Sequence, residues 1–388
     1  MKRVLFIESG KFGGGSFVSL KKHIQALDLT RITPVVIFFN QNDLISEFRA
    51  KGIKVHLLSD PVFTNNGKFL YLFANALFMK GYVRKNCIKL LEVIHKKTIS
   101  ELMNISKKEK IDGIHLNTEL FRDRIGLLVG KKLNLPIISH LRSKYEVGGI
   151  YFNKKYVQIA NALVSKYIAV SKDTAKFWIN KVGVSSEKCN VLYDYYIPSE
   201  KELSISSSID KKNLKFVCVA NLVPVKAHDF LLKSISEVLL KYNAKLLLVG
   251  KGEPSYLEEI KQLANKLGIK EHLEFLGFRK DVPEILASSD IVLLTSKREG
   301  LPNILIEAMG IGALVIATDV GGIPEIVENK VSGFTIEYDN VENATKTIEG
   351  VLSLSDYELH KIRSNAQLKV NEFFNLKNYK KTILKLYE

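Results

Sequence analysis

Two carboxylates stand in REGLPNILIEAMG, Arg298–Gly310: Glu299 and Glu307, with seven residues between them. The apolar run ending at Leu293–Leu294 reads as a strand, and Asn303 onward carries a helical pattern. Glu299 is therefore expected in a loop at the carboxyl edge of that strand, and Glu307 just over one turn into the following helix. Ligands of open α/β sheets bind at this edge. The backbone N–H groups of Gly300, Leu301, Pro302 and Asn303, proline excepted, border the same crevice at a helix start and suit an anion. A carboxylate placed there can bridge sugar hydroxyls through charge-assisted hydrogen bonds. Taken alone, the same pair also fits solvated or helix-capping glutamates.

Other residues could join this chemistry. Gly13-Gly14-Gly15-Ser16 lies between the first strand and the first helix, where backbone can approach a phosphate or a sugar. It lacks the G-x-G-x-x-G dinucleotide spacing, and a plain tight turn also accounts for it. His140 ends the apolar run of IISHLRSKY, with Arg142 two residues on, and His115 sits in GIHLN. No D-x-D motif and no His/Cys/Asp cluster with metal-ligand spacing is present, so no metal is expected.

Alternating strands and helices must position these residues. Lys2–Ile7, Pro34–Phe39, Lys54–Leu58, Gly113–Leu116, Ile137–His140, Tyr167–Val170 and Asn190–Tyr193 read as one set of strands. Lys215–Val219, Lys245–Val249, Leu273–Leu276, Ile291–Leu294, Leu314–Ala317 and Gly333–Ile336 read as a second. Helical periods fall between them, which predicts two doubly wound α/β domains with parallel sheets. The expected boundaries are a first domain over 1–197, a polar Ser-rich linker over 198–213, a second domain over 214–370, and a helical segment over 371–388.

The 388 residues allow two or three domains, and 46% hydrophobic with 25% charged residues excludes a disordered or collagenous chain. No apolar run is long enough for a membrane span, and the apolar core Val4–Ile7 is too short for a signal peptide. Cys87, Cys189 and Cys218 are few and far apart, which fits free thiols in a reducing cytosol. The net charge of +16 is carried entirely by residues 1–200, with 32 Lys+Arg against 16 Asp+Glu; the remainder holds 25 of each. Such asymmetry implies two domains with different partners, one of them anionic. In Lys68–Lys97, seven Lys/Arg and one acid accompany Phe69, Leu70, Tyr71, Leu72, Phe73, Leu77, Phe78 and Met79. This segment fits contact with an anionic membrane surface, or a pair of core helices with solvated lysines. No nucleic-acid-binding signature is present.

Arg298–Gly310, together with Asp281 and Ser289–Asp290 before it and ATDVGGIPEIVENKVSGF after it, resembles glycosyltransferase family 4. The resemblance covers Phe216–Gly333 nearly throughout and extends weakly into the first half. It implies the GT-B fold, two Rossmann-like domains facing each other across a cleft, and transfer that retains anomeric configuration. The family's E-x7-E motif maps onto Glu299, implied to contact the donor sugar, and Glu307, implied to contact the ribose. In VANLVPVKAHDFLL, Val219–Leu232, the resemblance implies that Lys226 neutralises the donor diphosphate. Asn221 stands where the family usually has Arg, and Asp194 where many members have Asn. Gly14 and Gly15 are implied to close over the donor, and His140 to hydrogen-bond the transferred sugar. Gly250, with backbone groups of Phe278 and Arg279, is implied to hold the base. Arg142 is expected to face the acceptor, and His115 to orient the acceptor side or to be structural.

The implied reaction moves a sugar from a nucleotide sugar, UDP-hexose or UDP-N-acetylhexosamine, to a lipid-linked or cell-surface saccharide acceptor. It needs no cofactor beyond the donor, and it takes place at the cytoplasmic face of the membrane. Two other classes remain open: a nucleotide-sugar epimerase on the same fold, and a non-catalytic partner subunit.

Overall fold

The computed structural model describes residues 1–10, 15–60, 92–144, 154–198 and 208–387. Gly14, Cys87, most of the basic segment Lys68–Lys97 and most of the expected linker lie outside these residues. The chain divides into two compact units, one formed by Met1–Asp194 with Tyr379–Glu388, the other by Tyr195–Asn378. The division falls a few residues before position 197.

Among the described residues, the first unit holds seven strands: β1 (Lys2–Glu8), β2 (Ile32–Phe38), β3 (Lys54–Leu57), β4 (Gly113–Leu116), β5 (Ile137–Leu141), β6 (Val164–Ala169) and β7 (Cys189–Val191). Their order is β3-β2-β1-β4-β5-β6-β7, and every pairing is parallel. Continuous apolar runs such as Val4–Ile7 and Val35–Phe38 are buried on both faces, as a helix-covered parallel sheet requires. Asn42 and Ser171 cap two of the covering helices, each side chain accepting a backbone N–H.

The helix Arg124–Leu133 shows how closely that cover sits. Gly126 and Gly130, four residues apart, share one face of it. A Cβ at Gly126 would collide with Leu116 and Ile7, and one at Gly130 with Ile137. Here glycine serves close packing of helix on sheet.

The second unit holds β8 (Lys215–Val219), β9 (Lys245–Val249), β10 (Leu273–Gly277), β11 (Ile291–Leu294), β12 (Leu314–Thr318) and β13 (Phe334–Ile336), in the parallel order β10-β9-β8-β11-β12-β13. The helix His228–Tyr242 buries Phe230, Leu231, Ile235, Val238 and Leu239 against it. In both units the strand order reverses beside the first strand, at β1/β4 and at β8/β11. This is where ligands of such sheets bind, at the carboxyl ends.

The segment expected as one helix over 371–388 is broken. One helix, Asp356–Phe373, ends there, and a second runs over Leu376–Tyr387. Asn375 causes the restart: its side chain accepts the N–H of Asn378 at 2.9 Å, as a capping residue does.

Two glycines separate packing from propensity. Gly126→Ala is expected to cost about 1–3 kcal/mol, because the new methyl must displace Leu116 and Ile7. Gly350→Ala, in the helix Val341–Leu352 with nothing near its Cβ position, should gain about 0.5–1 kcal/mol. Urea unfolding of the two variants checks both signs.

Candidate functional site

In the second unit, β8 runs into Asn221 and a short turn, Pro224–Lys226. Ala227 follows in the left-handed region, φ 50°, a conformation uncommon for a residue with a Cβ. The loop after β11 is tied to this turn. Lys297 N–H donates to the Val225 carbonyl at 2.9 Å, and the Thr295 hydroxyl lies 3.3 Å from the Ala227 carbonyl.

These ties bring Lys226 Nζ to 2.5 Å from Glu299 Oε1. The Ser296 hydroxyl donates to the same oxygen at 2.6 Å. From the end of β12, the Thr318 hydroxyl donates to the Ser296 carbonyl at 2.8 Å. Gly321, at φ 62°, lies so close to the Glu299 backbone that a Cβ would collide with its carbonyl, and Gly322 N–H donates to the Gly300 carbonyl at 3.1 Å. Three loops, after β8, β11 and β12, therefore converge on one carboxylate. The pair is only partly covered: the Lys226 side chain is 25% exposed and that of Glu299 10%. Glu307 stands on the helix Asn303–Gly310, with Leu301 and Pro302 leading into it.

The neighbouring strand ends add a rim. Gly250, φ 152°, presses on the Ala220 carbonyl so closely that no side chain fits there. Asn221 Oδ1 accepts Lys251 N–H at 3.3 Å. Phe278 is 48% exposed, with Lys251 Nζ 5.2 Å from its ring centre. Arg279 is exposed and held bidentate by Asp281 at 2.8 and 2.5 Å. Burial, reinforced by the charge of Lys226, pulls the His228 imidazole down to about 4. His228 is therefore neutral beside Lys226.

The first unit carries a second polar group at its own switch point. Glu8, buried at the end of β1, accepts from Gly10 N–H (2.8 Å), the Ser16 hydroxyl (3.0 Å), the Thr118 hydroxyl (2.8 Å) and the Asn117 amide. It thus ties both flanks of the Gly-rich loop; Gly15 begins the helix Gly15–Ala26. Asp123 accepts Ser9 Oγ–H at 2.5 Å and Thr118 N–H at 2.7 Å. Burial first, then the charge of Glu8, pushes its carboxyl up to about 7. Burial pushes Glu119, just beyond β4, up to about 8.

His140 is the next-to-last residue of β5 and is buried. Arg142 reaches back: its Nε donates to the Asn117 carbonyl at 2.7 Å and its Nη2 to Asn117 Oδ1 at 2.8 Å. Of the two readings of His115, acceptor-orienting or structural, its surroundings fit the structural one. It is fully buried, and both ring nitrogens are engaged, by Tyr387 and by His140. Asp194, the other departure from the family pattern, accepts the Ser19 hydroxyl at 2.5 Å. Sequence reasoning missed Glu8, Asn117, Ser296 and Thr318. Glu8 alone carried a local signal, as the acid closing an otherwise apolar strand.

Residues 199–369 match the family model described as glycosyl transferases group 1. The N-acetyl-alpha-D-glucosaminyl L-malate synthase of Bacillus anthracis is 35% identical over 162 residues, which is 42% of this chain and 40% of that protein. The match thus spans two-fifths of that relative's length. The UDP-Gal:alpha-D-GlcNAc-diphosphoundecaprenol alpha-1,3-galactosyltransferase of Escherichia coli is 24% identical over 323 residues, covering 76% of this chain and 80% of that protein. The crystal structure of Anabaena HepE in complex with UDP-glucose superposes with a TM-score of 0.77 at 20% identity, covering 100% of this chain and 99% of that one. The fold is GT-B, with two Rossmann-like α/β units, and the resemblance to glycosyltransferase family 4 is borne out.

Glu119 gives the first unit a pH signature. The folded state keeps a proton up to about pH 8 that the unfolded chain releases near 4.5. Between those values the folded state binds more protons, so this group's contribution to stability falls as pH rises. Glu119→Gln removes this group's share of the slope and leaves that of Asp123. The variant's stability relative to wild type should grow by about 1 kcal/mol or more from pH 5 to pH 8, read by urea unfolding at both ends. A difference independent of pH would contradict the assignment.

Proposed function

We propose that this chain is a retaining glycosyltransferase that moves a hexose or N-acetylhexosamine from its UDP derivative to a lipid-linked or cell-surface saccharide. The Lys226–Glu299 pair at the carboxyl edge of β8 and β11 carries the reading, because a cation and a carboxylate held there match the two halves of a nucleotide sugar. The E. coli relative is named for a UDP-Gal donor and a diphosphoundecaprenol-linked acceptor, and the Anabaena protein binds UDP-glucose. Both names support the donor class.

In the chemistry proposed, the ligand-free pair opens as the donor enters. Lys226 turns to the diphosphate, and Glu299 exchanges its ammonium partner for sugar hydroxyls. The backbone N–H groups around Gly300 and Asn303 face the same anion, and Glu307 meets the ribose. The bond from the anomeric carbon to the phosphate oxygen breaks, and the acceptor oxygen bonds to that carbon on the same face. The acceptor proton passes to the departing phosphate. Lys226 stabilises the charge that develops on that leaving group, and binding supplies the alignment. Lys226 supplies the countercharge that a metal would otherwise provide.

The basic excess of residues 1–200 supports an acceptor at an anionic surface, on the cytoplasmic side in this reading. Among the described residues no helix is long and apolar enough to cross a membrane.

The test is a melting-temperature panel with UDP, GDP, ADP, CMP and NAD. UDP at about 100 times its dissociation constant should stabilise by about 2.7 kcal/mol. Glu307→Ala and Lys226→Met should each weaken UDP at least about 10-fold, and Lys226→Met should cut sugar transfer by about 10²–10³. Stabilisation by NAD alone, or UDP affinity unchanged in both variants, would overturn the reading.

A further inference from the structure

A chain of rings runs through the first unit from Tyr379 and ends at His140. Tyr379 Oη lies 2.7 Å from His23 Nδ1, and His23 Nε2 lies 2.8 Å from Tyr387 Oη. The same Tyr387 oxygen lies 2.5 Å from His115 Nδ1, and His115 Nε2 lies 2.7 Å from His140 Nδ1. Arg142 Nη2 approaches His140 Nδ1 at 3.3 Å. Of the six ring nitrogens of these three histidines, only His140 Nε2 has no hydrogen-bond partner among the described residues. His115 is locked in place by stacking on Phe6, with ring centres 4.9 Å apart.

One proton per ring, together with the Arg142 contact shared at His140 Nδ1, sets the directions in this chain. Burial pulls His23 down to about 3 and holds His115 and His140 well below the ordinary imidazole range, so all three are neutral, with one proton each. A guanidinium only donates, so His140 Nδ1 is an acceptor and its proton sits on Nε2. His115 Nε2–H then donates to His140, which leaves His115 Nδ1 to accept the Tyr387 hydroxyl. With its proton committed, the Tyr387 oxygen accepts His23 Nε2–H, and His23 Nδ1 accepts the Tyr379 hydroxyl. Arg142 is itself oriented by Asn117, whose amide donates to Glu8.

We propose that Tyr387 is a positioning residue: through His115, and opposite Arg142, it holds His140 in the Nε2–H tautomer, so that the one unshared ring nitrogen is a directed donor for a hydroxyl of the bound sugar. The tautomer follows from this unit alone. Its use on a sugar rests on the transferase reading above.

The test is the imidazole ¹⁵N spectrum of the ligand-free full chain labelled at histidine, with His140 assigned by His140→Gln. In wild type, His23, His115 and His140 should all be neutral Nε2–H tautomers. Tyr387→Phe removes the central hydroxyl and should move His115 and His140 toward mixed tautomers, while kcat for sugar transfer falls about 10-fold and the donor KM changes less than 2-fold. Tyr379→Phe, at the far end, should produce a smaller change of the same kind and serves where Tyr387→Phe does not fold. A wild-type His140 protonated on Nδ1, or His140 shifts unchanged in every folded variant, would overturn the proposal. Expected spectra without any transferase activity would leave the relay standing and overturn only the function.

Discussion

A parallel sheet covered by helices on both faces leaves polar chemistry few places to go. Its strand interiors are mostly apolar, because a buried unpaired polar group costs several kcal/mol; His115, inside β4, is accommodated with both ring nitrogens paired. Polar side chains therefore gather where the strands end, and most densely where the strand order reverses. Both units obey this. Glu8 ends β1, Asn117 follows β4 and His140 is next to last in β5, while Asn221 and Glu299 follow β8 and β11. The sheets thus determine where the site lies, and the loops determine what it is.

The two polar groups are built differently. In the second unit, Lys226 and Glu299 satisfy each other in a partly exposed pair that a ligand can open. In the first, the groups from Glu8 through Arg142 to Tyr379 are mostly paired with one another, apart from Arg142 Nη1 and His140 Nε2. A largely paired network resists rearrangement, since each broken link strands a buried group. An adjustable ion pair thus sits in one unit, and a polar scaffold with most of its groups paired in the other.

What the chain disclosed in advance tracks sequence distance. Glu299, Glu307 and Lys226 were legible because each sits in a short local motif, and the strands because buried parallel strands are continuous apolar runs. His140 was visible as a strand end. Its surroundings were not: His115 pairs with Tyr387 across 272 positions, and Asn117 with Glu8 across 109. The apolar period near the chain's end marked Tyr379 and Tyr387 as one helix face, but periodicity says nothing about what a hydroxyl will meet. The break at Asn375 was missed for a similar reason, since an asparagine caps only when the backbone beside it turns.

The first unit is assembled from two stretches of chain that bracket the second. Its sheet is complete once residue 194 has been made, but Tyr379 and Tyr387 follow only after the whole of Tyr195–Asn378. At about 5–20 residues per second, a ribosome needs roughly 10–40 s to cover that interval. During it, His23 and His115 have no phenol to meet, and the groove that receives the helix Leu376–Tyr387 stays open to water. The nascent chain therefore carries an unfinished polar core for longer than most folding steps take. The second unit must fold without trapping it.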